Sequence, residues 1–132
     1  MIFKLKDKFQ QTFIVSDKIY KGFIKLFNDN NPLHTQSPFA HHHGFDEKIM
    51  HGNILSGFLS YFIGECLPIK NVIIQTQQIQ FKAPVYLNDE IFFEAIVDGI
   101  FPSINTVEFK FNFRNTDDKI VSKGKIQIGI LT

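Results

Sequence analysis

The sequence predicts an α+β domain, and three observations carry that prediction. Helical spacing dominates the first half, and everything after Pro68 reads as long, alternating, β-branched and aromatic strands. Between them lies one helix that is apolar almost all round, the natural partner for the apolar face of a sheet. At 132 residues, 44% of them hydrophobic, the chain is expected to form a single domain over residues 1–132 with a core of its own.

The N-terminus, "MIFKLKDKFQ", alternates apolar and charged residues, so Ile2–Lys6 and Gln11–Val15 are expected as short strands. The same alternation is unlike the apolar core of a secretory signal, and the chain is expected to stay in the cytoplasm. Ser16 can cap a helix in which Ile19, Phe23, Leu26 and Phe27 recur at helical spacing. That helix must end near Asn28. Asn30, Asn31 and Pro32 stop it, because Asn accepts left-handed geometry and the residue before proline is pushed to extended angles. Asp29 and His34 therefore fall on a bent, irregular segment.

"SPFAHHHG" follows, with a Ser N-cap, a first-turn Pro and a Gly stop, the marks of a helix of about two turns. A longer helix is expected from Gly52 to about Leu67. Its stripe is Ile54, Leu55, Phe58, Leu59, Phe62, Ile63, Cys66 and Leu67, and Gly57, Ser60 and Gly64 form a small-residue face. Interrupted by Ser, Gly and Glu65, this run falls short of the roughly 20 apolar residues a membrane span needs. Four antiparallel strands close the chain: "VIIQTQQIQFKAPVY", "DEIFFEAIVDGI", "INTVEFKFNFRNT" and "KIVSKGKIQIGIL", separated by turns at Asn88-Asp89, Pro102-Ser103 and Asp117-Asp118.

Composition excludes several functions. The formal net charge is +1 and no basic run exists, so nucleic-acid binding is not expected. The single Cys66 rules out an intramolecular disulfide and a multi-cysteine metal centre. All five histidines lie between His34 and His51, which raises the question of a metal site. Consecutive helical residues point about 100° apart, whereas helical metal sites use i, i+4 spacing, so His41, His42 and His43 are expected on an exposed helix, with one or two bordering a pocket mouth. No metal and no cofactor is expected.

"DNNPLH", followed by "FDEKIMHGNILSGF" and then "FKAPVYLNDE", resembles the MaoC-like, (R)-specific enoyl-CoA hydratase and acyl dehydratase family. Three spaced motifs, from Asp29 to Asp89, fall in the family's order. The resemblance implies a hot-dog fold, an antiparallel sheet wrapped around one long helix, usually dimeric with the active site near the subunit interface. It implies Asp29 and His34 as an acid/base pair, the Gly52 amide as oxyanion donor, and His51, Gly52 and Asn53 at the substrate. The substrate class implied is a 2-enoyl or (R)-3-hydroxyacyl thioester of coenzyme A or acyl carrier protein.

Read on their own, these residues suit that chemistry. Hydration of an enoyl thioester needs a proton acceptor for water, a proton donor for the α-carbon and donors for the thioester oxygen. A carboxylate and an imidazole on one turn meet the first two needs. The unpaired amides that open a helix meet the third, and Gly52 lets an oxygen approach. Asp29 taken alone also fits a turn acid satisfied by backbone N–H groups, and His34 a histidine packed under the loop. His51 suits fixing the turn into the central helix.

Three positions depart from the family. Phe27-Asn28 replaces Ser-Gly, which is expected to narrow the pocket or repack inward; Gln36 replaces an Asp; and Asn88 replaces a turn Gly. Those departures motivate a second reading, a non-catalytic module that binds a thioester or partner. A third, thioester hydrolysis, is weakened because the first acid of the central helix, Glu65, comes late in it.

Overall fold

Period-two alternation puts Ile91, Phe93, Ala95 and Val97 on one face of a strand, with Val107, Phe109, Phe111 and Phe113 beside them on the next. All eight are buried. In the computed structural model, which describes residues 1–132, they belong to a five-stranded antiparallel sheet. Its strands are β1 (Lys8–Ile14), β2 (Val72–Phe81), β3 (Glu90–Phe101), β4 (Thr106–Arg114) and β5 (Ile120–Ile130), in the order β1-β3-β4-β5-β2. The helices are α1 (Asp17–Phe27), α2 (Pro32–Thr35), α3 (Ser37–His42) and α4 (Asn53–Tyr61).

The apolar face of the sheet closes on α4. Phe62, fully buried just past α4, packs against Phe93 at 4.9 Å, Phe9 at 5.6 Å and Phe109 at 5.7 Å between ring centres. Phe13 of β1 stacks on Phe58 of α4 at 4.4 Å. Such pairs add to the apolar area that drives burial, so the sixteen phenylalanines are largely accounted for by this core.

Several elements differ from the sequence reading. Pro32–Thr35, expected as irregular, is the short helix α2 that carries His34, and β2 ends at Phe81 where the strand was expected to run on to Tyr86. Ile2–Lys6 is not a strand: Lys6 turns left-handed at φ 71°, and the Lys4 amide bonds the Asp7 carboxylate at 2.8 Å, closing a turn that inserts Phe3 into the core. Alternation there marks a plug, and the pairing strand starts at Lys8. The central helix does run to the expected end, but Phe62–Cys66 is a π-helical turn continuing α4. A smaller difference is at α3, where Ser37 is inside the helix and Gln36 precedes it without a side-chain cap.

Asn88, Asn105 and Asp118 take left-handed φ values of 70°, 50° and 58° at the strand connections. These are the residue types that accept such geometry at low cost, and Asn88 thereby does the work of the glycine it replaces.

Where β5 meets β2, Gly124 lies opposite Ile79, and a Cβ there would sit 1.9 Å from the Gln78 carbonyl oxygen. Backbone cannot yield as a side chain can. Gly124→Ala is expected to destabilise the fold by about 3 kcal/mol or to prevent expression of folded protein, read as a lowered urea midpoint.

Candidate active site

The site is assembled from a helix end, a capped turn and a helix start. Ser16 Oγ accepts from the Ile19 amide at 3.2 Å to open α1, and Asn28 closes it in left-handed geometry at φ 56°. Asn28 thus occupies the backbone state a glycine would take, which reconciles that departure with an intact turn. From there Asp29 Oδ1 accepts from the Asn31 amide at 3.3 Å, and Asn31 Oδ1 accepts from the Leu33 amide at 2.9 Å to cap α2 at Pro32. Local side-chain bonds, not the sheet, shape this turn.

His34 is aimed by a backbone contact. Its Nδ1 lies 2.9 Å from the Ile49 carbonyl, which can only accept, so Nδ1 carries the proton and Nε2 presents a lone pair. The Tyr20 hydroxyl donates to the His34 carbonyl and ties α2 to α1. Ile49 is held in turn by the Leu33 carbonyl at 3.2 Å, and Met50 by the Val85 carbonyl at 2.8 Å. This brings the "FKAPVY" segment against the start of α4.

Donor atoms of Asp29, His34 and His51 lie within 4.8 Å of one another. One water at ordinary hydrogen-bond distance, about 2.8 Å, can touch two such groups at once. Two imidazoles and a carboxylate are also donors that a divalent cation accepts. The cluster joins His51 to the expected pair, a convergence no sequence spacing announced, because His51 reaches a backbone carbonyl 22 residues upstream.

A pocket of about 410 Å³ opens beside His34, lined also by His51, Gly52, Asn53, Phe81 and Val85. Asp29 is exposed and faces a second hollow, between α1 and α4, which shares Asn53 and Ile54 with the first. The two meet at the start of α4. The amides of Gly52 and Asn53 donate to no backbone or side-chain acceptor, leaving the positive end of the helix open at that junction. Phe81 crowds Gly52 so closely that a Cβ there would lie 2.9 Å from its ring.

The remaining residues fall outside. Phe27 is 66% exposed and packs on Phe23, on the rim of the Asp29 hollow and away from the His34 pocket. His41, His42 and His43 are exposed; none borders the pocket mouth, where Phe45 and Ile49 stand instead, and His41 faces Glu47 at 3.8 Å. Glu65 pairs with Lys70 at 3.5 Å and lines neither hollow. Burial, with a smaller push from Glu65, holds the Cys66 thiol above its ordinary range against the pull of Lys70. No helix is long and apolar enough to cross a membrane.

Comparison with known proteins agrees with this architecture. The chain is 34% identical over 88 residues to the (R)-specific enoyl-CoA hydratase of Rhodospirillum rubrum, a match covering 67% of this chain and 61% of that one. It spans about three fifths of that relative's length. Against the mitochondrial 3-hydroxyacyl-[acyl-carrier-protein] dehydratase of Arabidopsis thaliana, identity is 26% over 127 residues, covering 94% of this chain and 75% of the other. The (R)-hydratase structure from A. caviae superposes with a TM-score of 0.90 at 24% identity, over 98% of each chain, which makes the fold a hot dog. The MaoC like domain matches residues 8–117, most of the chain, and the protein belongs to that family.

Proposed function

We propose that the chain is a hydratase/dehydratase that interconverts 2-enoyl and (R)-3-hydroxyacyl thioesters, carried on coenzyme A or acyl carrier protein, within the cytoplasm. The observation that carries the proposal is the meeting of Asp29, His34 and an unpartnered helix start around one junction of two hollows. In the hydration direction, the lone pair of His34 Nε2 takes a proton from water as its oxygen bonds C3 of the enoyl group. The Asp29 carboxylate orients that water. Negative charge moves to the thioester oxygen, which the Gly52 amide receives, and the imidazolium returns its proton to C2. Dehydration is the same path reversed, and neither direction consumes a cofactor.

His51, Gly52 and Asn53 form the wall against which the thioester lies. The 132 residues act as one domain, and two copies form a homodimer. The edge strand β2 supports the dimer, since its outer side is unpaired and Ile73 is 53% exposed.

The reading is tested by following a short enoyl-CoA by its absorbance while free thiol is assayed in the same cuvette. Loss of enoyl absorbance without thiol is expected, and prior treatment with a chelator is expected to leave the rate unchanged. Thiol release would replace hydration by thioester hydrolysis. No turnover on either carrier would leave a binding module, and sensitivity to chelation would assign the three-residue cluster to a metal.

A further inference from the structure

His51 is 3% exposed, the most enclosed titratable side chain of the site. Its Nε2 lies 3.0 Å from the main-chain carbonyl of Asp29, and its ring packs 4.1 Å from that of His34 and 4.6 Å from that of Phe23. A carbonyl only accepts, so Nε2 bears the proton. That leaves Nδ1 a bare lone pair, buried and without a partner. Such an orphan carries a desolvation cost that a phenylalanine, filling the same space between Phe23 and His34, would avoid. What the imidazole supplies and a phenyl ring cannot is the Nε2–H.

We infer that His51 is the positioning residue of the pair: by donating to the Asp29 carbonyl while its face supports the His34 ring, it fixes the distance between carboxylate and imidazole. Asp29 needs such a tether. Its carboxylate is exposed and its local bond, to the Asn31 amide, is long at 3.3 Å. His51 is joined by one peptide bond to Gly52, so a single residue links both members of the pair to the oxyanion donor. The assignment goes beyond a role in shaping the entry to α4, and it rests on the hydratase reading above for its kinetic consequence. Catalytic geometry is sensitive to such tethers, because misplacement by roughly 1 Å can cost about 10²-fold in rate.

The test uses two variants that separate packing from donation. His51→Phe keeps the ring and removes the donor, whereas His51→Gln can place an amide N–H near the position of Nε2. The expected result is a kcat lowered about 10- to 100-fold in His51→Phe with KM within about threefold, and recovery of most of the loss in His51→Gln. In an Asp29→Asn background, His51→Phe is expected to cost less than about twofold more, since the tether then holds a disabled group. Equal losses in the two variants, or none in His51→Phe, would overturn the inference.

A readout independent of turnover keeps the two readings apart. Nitrogen-15 imidazole spectra of the wild type, in mildly alkaline buffer, are expected to show His51 as the Nε2–H tautomer. In His51→Phe, faster exchange of the Asn31 amide, which donates to the Asp29 carboxylate, is expected at an unchanged melting temperature. An Nδ1–H tautomer, or unaltered exchange, would overturn the tether even if the wild type hydrates nothing. Inactivity of the wild type with these spectra intact would instead remove only the hydratase reading.

Discussion

Asp29→Asn is expected to lower kcat for enoyl thioester hydration by about 10³-fold while changing KM by no more than about threefold. The substitution is conservative for the fold. An asparagine oxygen can still accept from the Asn31 amide, so the turn after α1 persists and only the charge is lost. His34→Asn is the matching probe, because its side-chain amide can stand where Nδ1 stands and donate to the Ile49 carbonyl, with nothing left in the place of Nε2. A similar loss is expected. In the proposed mechanism the two residues act on one water, so the double variant should be scarcely slower than either single one. Initial rates with crotonyl-CoA measure all three, and retention of a third or more of the wild-type rate in either single variant would remove that residue from the chemistry.

The second large effect is expected at Gly52. Gly52→Ala keeps the amide donor but sets a methyl group 2.9 Å from the Phe81 ring, at the place proposed for the thioester oxygen. Phe81 is 51% exposed and can swing outward, so the melting temperature is expected to fall by only a few degrees. Blocking the donor is expected to cost about 10²-fold in kcat/KM, the scale seen when one oxyanion donor is lost. Phe81→Ala combined with Gly52→Ala separates crowding from obstruction: it restores the melting temperature and leaves the rate low. Full activity of Gly52→Ala would place the oxyanion donor elsewhere.

Much of the architecture is legible in the residues, for reasons that can be named. The strands after Pro68 alternate with few interruptions because one face is buried against α4, and their turns carry Asn and Asp where left-handed angles are needed. The π-helical turn at Phe62–Cys66 is not legible, since burying Phe62 and Ile63 satisfies the same apolar stripe whether or not the turn widens. Ile2–Lys6 mimics a strand because a charged turn and a buried Phe3 alternate as a strand would.

In the site, the proximity of Asp29 and His34 follows from their closeness in sequence across a turn that Asn31 caps and Pro32 stiffens. The left-handed helix stop was expected at Asn30 and Asn31, whereas the structure places it earlier, at Asn28. The placement of Phe27 was not legible, because whether a bulky residue before that turn points into a pocket or away from it depends on the packing of α1. His51 was expected at the substrate and at the turn into the central helix, but its contact with Asp29 was not legible, because that hydrogen bond goes to a main-chain atom and leaves no trace in side-chain chemistry.

The central claim is most directly tested by the configuration of the product that the purified wild-type chain makes from crotonyl-CoA. The account predicts turnover without thiol release and (R)-3-hydroxybutyryl-CoA as the product. Formation of the (S)-product, or no hydration of either the coenzyme A or the carrier-protein substrate, would contradict it.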